Sequence, residues 1–272
     1  MRGAALAILV LSLCAACAAQ KVHFSPSKEP DLLQRTKEIP QTDRQRADQL
    51  KAWFSKAGCK GDFLSEQPVQ GSDVPNIICR MRGKSDQAIV IGAHYDRASS
   101  PQRPFDDWTG ALLLPSLYEC LRTRRRKHTI IFVAFADHGD QVLGAQTFIS
   151  RMSATELSHV RAMVNLDALG LSPTKIWSGH SDKDLVQALI KMVYAMKLPA
   201  SQIDLNRAGP SDSDAFLSQH IPQITIHSIS QPNLVSGTVT PFRPAAFYDS
   251  YRLICGFIAY LDEEQKLKSH GE

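Results

Sequence analysis

Side chains that bind metals or move protons stand just after the apolar runs of this sequence. His94 and Asp96 follow AIVIGA, Asp106 and Asp107 lie in the next loop, Asp137 and His138 follow IIFVAFA, and Asp167 follows MVNL. Imidazoles and carboxylates together suit zinc, whose catalytic sites take three protein ligands and leave a fourth position for water. His94, Asp106 and Asp167 make one such set. Asp96 comes two residues after His94, on the same side of an extended segment, and is placed to orient the imidazole from behind. His138 titrates near neutrality when unperturbed, which suits a general base acting on a metal-polarised water.

Those residues can converge only if the apolar runs are neighbouring strands. PNIICRMRG and AIVIGAHYD read as two strands, the second too continuously apolar for a half-exposed edge and therefore central. TIIFVAFAD is another buried strand, AMVNLDALG a third central one, KIWSG a fourth, and ITIHSI a late one. Helical segments alternate with them. Thr42 is placed to cap a helix through RQRADQLKAWFSKAG that stops at Gly58, its stripe of Leu50, Trp53 and Phe54 packing into the core. TGALLLPSLYECLR is helical despite Pro115, TFISRM and the periodic DLVQALIKMVYAMKL follow, and FYDSYRLICGFIAYLDEEQ closes the chain as a long helix. Asp212 and Asp214 read as caps of a short helix beginning near Ala215. The alternation predicts an α/β three-layer sandwich, a mostly parallel (mixed) sheet with helices on both faces, whose ligands gather at the carboxyl ends of its strands.

The chain of 272 residues carries a formal net charge of +4 and 43% hydrophobic residues, enough for one sizeable core. So small a balance makes no case for nucleic acid or an anionic membrane. Its one dense basic run, RTRRRK at 122–127, reads as a solvated connection. Arg2, an apolar stretch from Ala4 to Leu13 and small residues to Ala19 read as an export signal, so the chain is expected to be periplasmic or secreted. Cys14 and Cys17 leave lipidation open, and only lipidation would bring a membrane partner. The expected organisation is a signal at 1–19, an N-terminal helical segment at 20–70, the α/β domain at 71–264 and a polar tail at 265–272. In an oxidising compartment Cys59 and Cys79 are the expected bridge, while Cys120 and Cys255, in apolar helical contexts, read as buried thiols. His180 and His227 read as hydrogen-bonded histidines rather than ligands, and Trp108 and Trp177 as core.

GAHYD, FDDWTGA, IIFVAFADHGDQVLGA and NLDALG resemble, in order and spacing, the motifs of the family of bacterial leucyl aminopeptidase, glutamate carboxypeptidase and glutaminyl cyclase, metallopeptidase family 28. SDSDAFLSQHIP is similar to the family's SDHxxF…GIP segment. The resemblance covers roughly Asn76 to Leu261. It implies a two-zinc fold, with His94 and Asp167 as ligands of one metal, Asp106 as the bridging carboxylate and Asp96 as the partner of the histidine. It also exposes departures. Laid on the pattern AxEExGLxGS, ADHGDQVLGA puts His138 on the general base and Gly139 on a ligand of the second metal, and 236–247 lacks the family's late histidine. Asp140 is the nearest carboxylate that could stand in for Gly139.

The expectation is therefore at most one zinc, a peptide or amino-acid amide substrate and no nucleic-acid partner. The activity is either a weak single-metal peptidase or amidohydrolase, or a lapsed one whose cleft binds a peptide or a partner. A glutaminyl-cyclase-like acyltransferase is a minor alternative, since two of the three ligands of that branch's metal are missing.

Overall fold

A computed structural model describes residues 22–37, 39–97, 108–137, 141–204, 210–229 and 241–264. Eight strands form one sheet: β1 (Leu64–Gln67), β2 (Asn76–Met81), β3 (Ala88–His94), β4 (Thr129–Phe135), β5 (Val160–Leu166), β6 (Thr174–Trp177), β7 (Ala200–Ile203) and β8 (Gln223–His227). Their spatial order is β1-β2-β4-β3-β5-β8-β6-β7. The run β4-β3-β5-β8 is parallel, whereas β2 and β6 are antiparallel to β4 and β8. The sheet is thus mixed, as expected, with β3 buried along its whole length. The late strand β8 enters between β5 and β6, and β7 beyond β6 forms that edge of the sheet.

Helices cover both faces. One layer holds α1 (Glu29–Gln34), α2 (Asp43–Ala57), α3 (Thr109–Leu121), α6 (Lys183–Met196) and α8 (Pro244–Glu263), packed on Ile89, Ile91, Ala93 and Leu166 of the sheet. The other holds α4 (Leu143–Ser150) and α7 (Asp212–Leu217), packed on Val90, Val133 and Phe135, with α5 (Ala154–His159) at its rim. Thr42 caps α2 in a capping box with Gln45, and Gly58 ends the helix with φ +103°, a left-handed stop that suits glycine. Pro115 lies inside α3 without ending it. The short elements α1, α5, β1 and β7 have too little apolar periodicity to announce themselves.

Cys59 and Cys79 form a disulfide with Cα atoms 6.3 Å apart, joining the segment after α2 to β2. Cys120 and Cys255 are buried free thiols, and burial raises the pKa of Cys255 well above the ordinary range. Trp108 is fully buried, as expected of core, but Trp177 is half-buried and stacks on the His180 ring at 4.4 Å.

Candidate metal centre

His94 ends β3, and strand register aligns it with Phe135 of β4 and, two residues beyond the Gly92–Asn165 pair, with Asp167 after β5. Alternation along β3 turns Ile89, Ile91 and Ala93 toward the α3 layer, so His94 faces the α7 layer. There the helix start supplies its partner: Asp212 Oδ2 lies 3.0 Å from His94 Nδ1, with both side chains buried. If Nδ1 donates that bond, the ring lone pair sits on Nε2, and Nε2 is 3.8 Å from Asp167 Oδ1. Two atoms that each bond one zinc near 2 Å lie within about 4 Å of each other, so this pair fits shared coordination.

The role assigned from sequence to Asp96 is thus occupied, among the described contacts, by Asp212. The contact described for Asp96 is through its backbone: Arg46 of α2 donates to the carbonyls of Tyr95 and Asp96 at 3.0 and 2.9 Å, and its guanidinium lies 5.3 Å from the Trp108 ring centroid. Asp212 itself was expected to be a helix cap. Instead Ser211 is the cap, and Asp214 closes the capping box by accepting from Ser211 N at 2.8 Å. The similarity of SDSDAF to the family's SDHxxF segment was the signal that could have marked Asp212 as a site residue.

A polar chain seats that helix start. Asn165 Nδ2 donates to Ser211 Oγ at 3.0 Å, and Ser211, Ser213 and Thr225 hydroxyls continue the chain to β8 at 2.9 and 3.1 Å. On the opposite side, a Cβ on Gly110 would stand 2.5 Å from Leu166 O, so glycine lets α3 rest directly on the end of β5. Thr109 Oγ1 accepts from Leu169 N at 2.8 Å and ties the turn after Asp167 to the same helix.

The turn after β4 is held as firmly. Asp137 and Val142 have φ of +52° and +45°, costly for residues with a Cβ and unusual above all for a β-branched valine. Asn76 binds the turn on both sides: Oδ1 accepts from Ala136 N at 2.9 Å and Nδ2 donates to Gly144 O at 2.8 Å. Sequence reasoning took Asn76 only as the start of a strand. Gly144 is needed here because a Cβ would meet Ala136 O at 2.2 Å. His138, Gly139 and Asp140, between these anchors, lie outside the described residues, as do Asp106, Asp107 and 236–240. Among the described residues no cluster of three or more His, Cys, Asp or Glu side chains could hold a metal.

His180 and His227 make hydrogen bonds, as expected. His180 Nε2 bonds Asp214; burial acts to raise the pKa of that carboxyl, but the bonds from His180 and Ser211 outweigh it and hold it below its ordinary value. His227 is fully buried, its Nδ1 accepts from Ile229 N at 3.1 Å, and burial, aided by Lys175, lowers its pKa to about 4.

A mixed sheet between helical layers, with an imidazole and a carboxylate meeting at the carboxyl ends of adjacent parallel strands, defines a zinc-exopeptidase type of architecture. The profile of Peptidase family M28 matches residues 76–251, and the chain belongs to that family. A probable zinc metalloprotease of Pyrenophora tritici-repentis is 27% identical over 130 residues, which are 44% of this chain and 29% of that protein. The chain thus matches less than a third of that relative's length. Among solved structures, the Legionella pneumophila LapA aminopeptidase superposes with a TM-score of 0.68 at 19% identity, covering 92% of this chain and 79% of that one. A glutaminyl cyclase of an Acidobacteriales bacterium reaches 0.67 at 17%, covering 90% and 97%. BSAP, a zinc aminopeptidase from Bacillus subtilis, reaches 0.59 at 17%, covering 72% and 52%. At these identities the superpositions speak for the fold alone.

Proposed function

We propose that this chain is an exported, single-zinc relative of the aminopeptidases that hydrolyses peptide or amino-acid amide bonds slowly. The observation that carries the proposal is the approach of His94 to Asp167, with Asp212 on the far side of the imidazole: two of the three residues of one half-site meet. His94 and Asp167 would hold the ion, Asp106 would complete the set, and Asp212 keeps the imidazole in the tautomer that presents Nε2. When bound, zinc polarises a carbonyl and acidifies its water.

The chain's own residues do the rest. Asp137 and Val142, braced by Asn76, hold the ends of the turn that carries His138. His138 would take the water's proton there and return it to the leaving amine, as a general base and then acid. An imidazole does this near neutral pH without the raised pKa that a carboxylate would need. With Gly139 in place of a ligand and no histidine in 236–247, the second metal of the family lacks two private ligands, so at most one ion is bound.

The test is metal content per chain together with hydrolysis of an aminoacyl arylamide. A value near one, with weak turnover that a chelator removes and His138→Ala abolishes, supports the proposal. A value near two, or turnover that survives His138→Ala, overturns it. Metal-independent peptide binding without any turnover would favour a lapsed peptidase that keeps the cleft as a binding site, a reading also supported by the loss of Gly139's counterpart carboxylate.

A further inference from the structure

The sheet has a second distinctive end. Where β2 finishes and β4 begins, a cleft of about 410 Å³ is lined by Arg80, Arg82, Arg122, Arg124, Arg125 and Arg126. Four of these belong to the basic run that reads from sequence as a solvated connection. The antiparallel β2–β4 pairing, Met81 against Ile130, adds Arg80 and Arg82 from elsewhere in the chain. No carboxylate lines the cleft among the described residues. Arg126 is buried and meets Asp262 from beneath at 3.8 Å, and Arg122 donates to Ala57 O at 2.6 Å. Arg80, Arg82, Arg124 and Arg125 have no ion-pair partner among the described residues, and the last three are exposed. Asp262 offsets Arg126 and Glu156 acts on Arg80, but the exposed Arg82, Arg124 and Arg125 carry no ion pair among the described residues, and their gathered charge favours an anionic ligand.

Two neighbours narrow the ligand. Phe63, beside the cleft at the start of β1, is 48% exposed, one of few large apolar side chains left in water. An exposed aromatic ring among arginines suits the boundary between headgroups and acyl chains. The chain also enters the described fold at this cleft: His23 O accepts from Arg126 Nη2 at 3.1 Å, and Ser25 N donates to Cys120 O at 3.1 Å. The seven residues of β4 separate this cleft from the His94 end of the sheet, about 20 Å at strand rise. A surface bound here leaves the metal centre facing away.

We propose that this arginine cleft docks the protein on an anionic phospholipid surface, with phosphates taken by the guanidinium groups and Phe63 entering the interface. The test is co-sedimentation of the exported chain with phosphatidylglycerol and with phosphatidylcholine vesicles. Partitioning should be confined to the anionic vesicles and fall steeply with salt. An arginine near such a surface contributes about fivefold, so Arg82→Ala, Arg124→Ala and Arg125→Ala together should weaken it on the order of 100-fold. The triple lysine variant should retain most of the binding, and Phe63→Ala should lose part of it. A lipid chain on the N-terminus would bind both vesicle types alike and would not respond to the arginines. Equal binding to both vesicles, an unaffected alanine triple variant that still melts like the parent, or binding of soluble heparin without vesicles overturns the proposal.

Discussion

Asp212 is the carboxylate that the fold sets against the His94 imidazole. It is fully buried, 3.0 Å from His94 Nδ1, at the start of a helix whose cap is a different residue. Removing its charge while keeping its shape should loosen the imidazole and lower its basicity. Asp212→Asn is therefore expected to weaken zinc binding by roughly 10- to 100-fold, measured by competition with a chromophoric chelator. Asp96→Asn should have the smaller effect, because Asp212 already occupies Nδ1. Asn76 acts at the same scale on the other turn. Truncation to Ala leaves the Ala136 amide and the Gly144 carbonyl to lose their buried partner, so Asn76→Ala should cost about 2–3 kcal/mol in denaturant unfolding.

Elements are tied together by a few side chains, and two of these ties respond to conditions. The Cys59–Cys79 bridge spans a sequence separation of 20 and fastens the α2 end to β2, so reduction should destabilise the fold by about 3 kcal/mol, read as a lower melting temperature in dithiothreitol. Asp262, near the end of α8, accepts from His128 N and Lys127 N at 2.8 and 3.1 Å, and from the Arg126 side it meets a guanidinium. Burial acts to raise its pKa, but those bonds and the His128 side chain outweigh burial and hold it below the usual carboxylate value. A carboxylate depressed in the folded state contributes stability that is present above its unfolded pKa, about 3.9, and is lost as pH falls through the lower folded value. Unfolding free energy should thus decline below about pH 4, and Asp262→Asn should be less stable at neutral pH with a flatter acid limb in pH-dependent denaturation.

At the scale of the molecule the two ends of the sheet are chemically unlike, one gathering an imidazole and carboxylates, the other six arginines. The metal end should bind no more than one zinc by elemental measurement. Changing His138→Glu and Gly139→Glu together should improve metal retention more than turnover, because the late histidine of the family is still missing from 236–247. The arginine end should set ionic-strength dependence of surface binding without changing that stoichiometry.

The sequence alone determined the parts whose signals are local. Continuous apolar runs marked β3, β4 and β5, Thr42 and Gly58 bounded α2, and four ordered motifs identified the family. The approach of His94 to Asp167 was legible because strand ends of a parallel sheet face one crevice. Tertiary structure decided what depends on register and crossing. Only the packing of α7 on β3 and β5 brings Asp212 to His94 across 118 residues. Only the entry of β8 beside β5 seats the Ser213–Thr225 bond, and only the β2–β4 pairing adds Arg80 and Arg82 to the run at 122–126. Such contacts have no periodicity to read, because they join residues that neither share an element nor follow one another in the chain.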